Sequence, residues 1–151
     1  MANKKQPKKY ELIKNDNIKL DGRILYRIKA IRDVVDSDGN LIVIKGDLGG
    51  FVQDESNLSH KGSCWIYDDA ACYGGGRVYD DAIVCDRARI HGCAKLYDKV
   101  IARDNADISG DARLFDKIMV RDRAHISGKT LLQGSYSIDY NIPHKDGWND
   151  A

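Results

Sequence analysis

The chain has 151 residues, of which 42% are hydrophobic, so it can bury one core. Its 24 lysines and arginines balance 23 aspartates and glutamates, and a net charge of +1 argues against bulk electrostatic binding to nucleic acid or membranes. No segment has the composition of a signal peptide or the roughly 18 consecutive apolar residues of a membrane span. We therefore expect a cytoplasmic protein without a membrane partner.

The N-terminal third contains two kinds of segment. Residues 1–9, "MANKKQPKK", are basic and polar without apolar periodicity, which predicts a disordered tail. Between residues 10 and 46, alternating apolar residues flank the turn sequence "DSDGN", a pattern that is typical of a β-hairpin. We predict that this β-hairpin region caps the structure that follows.

A six-residue repeat runs from residue 63 to residue 134. In its twelve hexads, positions two and four are small or aliphatic, and position six is always Gly or Asp. Alternation by two places positions two and four on one side of a short strand, while Gly and Asp tolerate the left-handed backbone of a tight corner. Three strands and three corners close a triangular coil of 18 residues. The repeat therefore predicts an all-β, single-stranded parallel β-helix of four regular coils.

Tandem hexads such as "NADISG" and "DARLFD" resemble the left-handed β-helix of the hexapeptide-repeat proteins. The segment "GDLGGFVQDESNLS", followed by "CWIYDDAACYG", also resembles a group of phage and prophage proteins. The first resemblance implies left-handed coils and favours a homotrimer; the second implies a phage accessory protein in the host cytoplasm. We place the β-helix at residues 47–140 and a C-terminal tail at residues 141–151.

Each outward position of the hexad forms a column of residues that lie one coil apart. Position three of the first face is apolar in four successive coils, and an apolar column of this kind needs a cover. The cover is another copy of the chain, the hairpins or tail of the same chain, or a partner protein. We predict a subunit interface, made by Trp65, Ile83, Ile101 and Met119.

The third face carries a basic column beside an aromatic column. One interpretation is a platform for a planar or anionic ligand such as a nucleotide. The other is a structural ladder of aromatic rings with basic groups packed over it. The candidate residues for binding a ligand or a partner are Arg77, Tyr79, Lys95, Tyr97, Arg113 and Phe115.

Aspartates form two columns at the corners of the coils. Stacked carboxylates suit calcium, but aspartate is also a favoured turn residue, and we favour the turn role with no metal site and no cofactor. The four cysteines lack CxxC spacing, so we expect free thiols. The columns are Asp68, Asp86, Asp104 and Asp122, and Asp80, Asp98 and Asp116.

The second face is polar and contains His91, Asp107 and His125. The acyltransferases among the hexapeptide-repeat proteins use one histidine as a general base, usually beside a loop that interrupts the coils. No loop interrupts the twelve hexads here, although the coil length predicts that His91 and Asp107 can approach each other across adjacent coils. We therefore predict no catalytic residue.

The functional prediction is a non-enzymatic, oligomeric binding or assembly module, acting against a host component such as a defence protein. The first alternative is a binder that sequesters a nucleotide signal, which is supported by the columns of the third face. The second alternative is an acyltransferase with His91 or His125 as the base.

Overall fold

The computed structural model describes residues 7–142 and the backbone of residues 149 and 150. The first two strands, β1 (Tyr10–Leu20) and β2 (Arg23–Ala30), form an antiparallel hairpin, and the short strands β3 (Val34–Val35) and β4 (Leu41–Val43) form a second one. Strand β5 (Leu48–Val52) pairs antiparallel with β2 and begins the solenoid, and a single 3-10 turn follows it at Glu55–Asn57.

The repeat region consists of short strands, one for each side of each coil. In chain order they are β6 (Trp65–Ile66), β7 (Ala71–Cys72), β8 (Arg77–Val78), β9 (Ile83–Val84), β10 (Arg89–Ile90), β11 (Lys95–Leu96), β12 (Ile101–Ala102), β13 (Asp107–Ile108), β14 (Arg113–Leu114), β15 (Met119–Val120), β16 (His125–Ile126), β17 (Thr130–Leu132), β18 (Ser137–Ile138) and β19 (Asn149–Asp150).

These strands form three parallel sheets, one for each face. The first face has the order β6-β9-β12-β15-β18, and the third face has the order β8-β11-β14-β17-β19. The second face, β5-β7-β10-β13-β16, is extended by β2 and β1. Trp65 pairs with Ile83 and Ile83 with Ile101, so the coil length is 18 residues. The predicted all-β solenoid of stacked 18-residue coils is confirmed; its left-handedness stays a prediction from the resemblance.

The interior of the solenoid follows the hexad pattern. Positions two and four are buried in all twelve hexads, and Ile90 and Leu96 have no exposed surface. Where position four is only Ala102, position two of the same hexad is Val100, so the total volume is maintained. Burying an aliphatic side chain contributes about 1.5–3 kcal/mol, and the shared core therefore holds the coils together.

The N-terminal end of the solenoid differs from the sequence prediction. The predicted disordered tail is wrong at Lys9, which is fully buried; residues 1–6 lie outside the described residues. Lys9 Nζ donates to the carbonyl oxygens of Cys64 (2.6 Å) and Gly62 (3.2 Å). In the later coils such carbonyls accept from the N–H groups of the preceding coil, as when Trp65 N donates to Ala82 O. The ammonium group thus satisfies carbonyls at the end of the stack, although burial lowers the pKa of Lys9.

The C-terminal end adds a partial coil after residue 134. Strand β18 continues the first face, Ile142 bridges to Ile126 on the second face, and β19 pairs with β17 on the third. Ile142 is buried, so the predicted C-terminal tail begins inside the solenoid. The aromatic residues of the C-terminal segment predict that Tyr136 and Trp148 anchor it: Tyr136 is 40% exposed, and Trp148 lies outside the described residues.

Candidate functional site

The apolar column of the first face has two different halves. Trp65 has no exposed surface, and the Tyr10 ring packs edge-on against it with 6.2 Å between ring centroids. The prediction that Trp65 contributes to a subunit interface is therefore wrong, because the N-terminal segment of the same chain covers it. Ile83 is partly buried against the core, whereas Ile101 and Met119 lie half-buried farther along the column.

The second hairpin extends this cover along the edge of the first face. Tyr67 donates its hydroxyl hydrogen to the carbonyl oxygen of Ile42 at 3.1 Å, and Ser37 donates to Asp81 at 2.8 Å. At the next coil, Lys99 forms an ion pair with Asp38 at 2.9 Å. The contacts of the hairpin with the solenoid thus lie at the N-terminal coils.

Two arginines lie beside the exposed half of the column. Arg103 and Arg121 occupy position five, next to Ile101 and Met119 at position three. Their Nε atoms are buried without a hydrogen-bond partner in the described part of the chain, although Arg103 Nε lies 3.5 Å from the Asp104 carboxylate. The chain itself encloses these Nε atoms, and the guanidinium group of Arg121 also lies 3.7 Å from the Asp139 carboxylate, so both guanidinium groups are held against the solenoid.

The third face brings its six predicted residues together as two neighbouring columns. The Tyr79 and Tyr97 rings stack with 5.0 Å between centroids, and the Tyr97 and Phe115 rings with 4.7 Å. Each ring therefore covers a face of its neighbour, and a planar ligand cannot insert between them without separating the coils. This geometry supports the ladder interpretation, and it leaves ring edges and basic side chains for contact with a partner.

The second face carries a feature that the sequence analysis missed. The β1–β2 hairpin is irregular between Ile13 and Asn17, and its tip packs against the outer surface of the second face. There Leu25 joins Phe51 and Tyr73 in a small buried cluster of its own. The Tyr73 hydroxyl donates to the Asp21 carboxylate at 2.5 Å, which ties the hairpin tip to the first complete coil.

His91 lies next to this hairpin tip, between two partners. Its Nε2 is 2.7 Å from Asp107 Oδ1, and its ring stacks on Tyr73 at 5.0 Å with 5° between the planes. The predicted approach of His91 and Asp107 is confirmed. Burial opposes ionisation of Asp107, but the hydrogen bond from His91 prevails, and the pKa of Asp107 lies below its ordinary value. Burial and the contact with Asp21 raise the pKa of Tyr73 far above its ordinary value.

Two clefts open on either side of the hairpin tip. The larger, of about 510 Å³, lies between Ile18 and Leu20 of β1 and the charged floor of the second face. The smaller, of about 310 Å³, contains His91 and the side chains of Asp21 and Arg23. The His91–Asp107 pair joins the two clefts, because Asp107 lines the larger one and His91 the smaller.

The aspartate columns act as turn residues. Asp86 N donates to Asp68 Oδ2 at 3.1 Å, and Asp104 N donates to Asp86 Oδ2 at 3.0 Å. No group of three or more His, Cys, Asp or Glu side chains that could hold a metal ion occurs in residues 7–142. The four cysteines are free thiols, and none of the helical segments that the structure describes is long and apolar enough to cross a membrane.

Comparisons with known proteins identify no relative of this chain, so the proposals about its function rest on the geometry described above. No family model matches the chain, and no curated protein matches it. The relation to hexapeptide-repeat and phage proteins stays a prediction from the sequence.

Proposed function

We propose that the chain is a non-enzymatic binding protein that forms a homo-oligomer through the exposed half of its first face. The observation that carries this proposal is the half-buried pair Ile101 and Met119, in line with a residue, Trp65, that the chain covers completely. The same column is thus covered at one end by the N-terminal segment and left partly open at the other.

The surroundings of this pair favour a protein partner. Burying the apolar side chains contributes roughly 25 cal/mol per Å², and the positively charged side chains of Arg103 and Arg121 lie beside them. A second copy brings the negative charge of its own corner columns, which is complementary to these arginines. The resemblance to hexapeptide-repeat proteins favours a homotrimer, with three copies of the chain around one axis.

The role of this assembly follows from the resemblance to phage and prophage proteins. In this proposal it is a phage accessory protein in the host cytoplasm that binds a host component, such as a defence protein. The third face remains accessible beside the oligomer interface, with the edges of Tyr79, Tyr97 and Phe115 next to basic side chains. Aromatic and arginine side chains are enriched at protein interfaces, which suits this face to the partner.

The experiment is a measurement of mass in solution. We expect the wild-type chain to be an oligomer and Ile101→Lys to have a lower mass with an unchanged β-sheet spectrum, because the introduced ammonium group would be buried at the interface. His125→Lys is the matched control, since His125 occupies the same hexad position on the second face and is exposed. A monomeric wild-type chain, or an Ile101→Lys variant of wild-type mass, contradicts the proposal.

The larger cleft on the second face favours a second candidate function, the binding of a small ligand. Its lining combines apolar side chains with two arginines, and it lies apart from the proposed interface.

A further inference from the structure

The larger cleft has an apolar side and a charged side. Ile18 and Leu20 of β1 form the apolar side, and Ile18 is 36% exposed. The charged side is built from two neighbouring columns of the second face, with Arg87 and Asn105 in one and Arg89 and Asp107 in the other. Its volume of about 510 Å³ falls within the range of small-molecule sites.

One small residue creates the space for this cleft. Position three of the hexad is occupied by a large or charged side chain in eleven of the twelve hexads, and Ala71 is the exception. Ala71 is 2% exposed and lies beneath the hairpin tip, where it lines the cleft together with Ala106. A longer side chain at residue 71 would fill the gap between the solenoid and β1.

The charges of the cleft are unequally satisfied. Asp107 is paired with His91 at 2.7 Å, and Asp69 lies 3.6 Å from the guanidinium group of Arg27. The side chains of Arg87 and Arg89, by contrast, form no hydrogen bond or salt bridge with the described residues, although the charge of Arg89 helps to lower the pKa of Asp107. Arg87 lies in the turn that precedes β10 and Arg89 begins that strand, and both residues line the cleft.

We infer that this cleft binds a small anion with a short apolar group. The guanidinium groups of Arg87 and Arg89 hold the anionic group, because planar N–H forks match the oxygens of a carboxylate or a phosphate monoester. The apolar group contacts Ile18 and Leu20 on the opposite side of the cleft. This inference goes beyond the proposed assembly and does not depend on it, since no residue of the first face lines the cleft.

The test is a titration followed by the NMR signals of ¹³C-labelled alanine methyl groups. The probes are hexanoate and phenyl phosphate, and hexanol and acetate serve as the probes that lack the charge or the apolar group. We expect saturable shifts at Ala71, the position-three alanine of the cleft, with hexanoate, phenyl phosphate or both, and weaker effects with hexanol and acetate. The methyl group of Ala106 faces the core and serves as the internal reference. A response to hexanoate alone assigns a carboxylate ligand, and a response to phenyl phosphate alone assigns a phosphate monoester.

The variants separate this site from a general effect of positive charge. Arg87→Gln and Arg89→Gln are each expected to weaken binding by about tenfold, the loss of a charge-assisted hydrogen bond. Arg123→Gln is the matched control, because Arg123 is exposed, occupies the same hexad position as Arg87 two coils away and lies outside the cleft. We expect the Arg123→Gln variant to bind hexanoate and phenyl phosphate with the affinity of the wild-type chain.

Three results overturn the inference: no saturable shift with either anionic probe, equal binding of hexanol, or equal weakening by Arg123→Gln and Arg89→Gln. Solution mass, measured on the same samples, distinguishes a failure of this site from a failure of the proposed assembly.

Discussion

Two of the three corner columns in this solenoid are built mainly on aspartate, and the third is built on glycine. All of them need a positive φ: it is +58° at Asp104 and +65° at Gly110. At six of the seven aspartate corners, the carboxylate accepts a hydrogen bond from a backbone N–H of the next coil, as Asp104 does from Asp122 at 3.0 Å. At the glycine corner the coils are too close for a side chain, since a Cβ on Gly110 would lie 2.4 Å from Gly128 N.

The difference shows that the left-handed backbone does not by itself determine the residue at a corner. Aspartate occurs where its carboxylate can satisfy an N–H of the neighbouring coil. At Gly92 and Gly110 the neighbouring backbone occupies the space of a Cβ, whereas at Gly74 the nearest backbone atom would lie 3.5 Å from it. A corner is therefore specified by the coil beside it as well as by its own φ.

The substitution with the largest expected effect tests the hexad register, which the aspartate and glycine corners share. Ile90 is buried in the strand between the Asp86 corner and the Gly92 corner. Ile90→Asp places an unpaired carboxylate in the core, which costs several kcal/mol, and we expect it to abolish the cooperative thermal transition. Arg89→Asp is the control, because the same carboxylate one residue away points outward and leaves the chain folded. An unchanged transition in Ile90→Asp would mean that the register is wrong.

The substitution with the next largest expected effect tests whether aspartate can replace glycine at a glycine corner. Gly110→Asp retains a residue that tolerates positive φ, but its Cβ overlaps the backbone at Gly128. We expect the free energy of unfolding in urea to fall by about 3 kcal/mol. If the variant is as stable as the wild-type chain, the close approach of the coils is not what selects glycine.

Removing the carboxylate at an aspartate corner has a smaller effect. Asp104→Ala leaves the N–H of Asp122 without its acceptor and puts alanine at a φ of +58°. We expect the lost hydrogen bond and the strained backbone together to lower the free energy of unfolding in urea by about 2 kcal/mol. Asp111→Ala, at an exposed position one hexad later, is expected to stay near the wild-type stability.

The smallest effects separate these two costs. Asp104→Gly tolerates the positive φ but provides no acceptor for the N–H of Asp122. We expect its free energy of unfolding to lie about 1 kcal/mol below that of the wild-type chain. Asp104→Asn keeps both an acceptor oxygen and tolerance of positive φ, so it is expected to stay within about 0.5 kcal/mol of the wild-type chain. If the glycine and asparagine variants are equally stable in urea unfolding, the hydrogen bond between coils contributes nothing measurable.

The sequence predicted the features that repeat and missed those that occur once. Period-two alternation within a period of 18 identifies the buried residues and the corners, and it places His91 beside Asp107 because they differ by two residues from one coil length. The cover of Trp65 and the burial of Lys9 depend on contacts between segments about 55 residues apart. The same holds for the hairpin tip above Tyr73, which reaches it from Asp21.

An alternating pattern shows that a surface is apolar, but it does not show which segment covers it. Trp65 and Ile101 occupy equivalent positions in the repeat, yet only the tertiary arrangement of the hairpins makes one buried and leaves the other half-exposed. The pattern therefore identifies the apolar column but not the part of it that the chain itself covers, and the interface at Ile83, Ile101 and Met119 stays a prediction.

The direction of the carboxylate bonds has a consequence for biosynthesis. In every aspartate pair the acceptor belongs to the earlier coil and the N–H donor to the later one, from Asp68 and Asp86 to Asp116 and Gly134. A coil that leaves the ribosome thus brings donors to acceptors that are already in position. The ladder bonds run the opposite way, from Trp65 N in one coil to Ala82 O in the next, so a coil added in the order of translation meets both acceptors and donors on the coil before it.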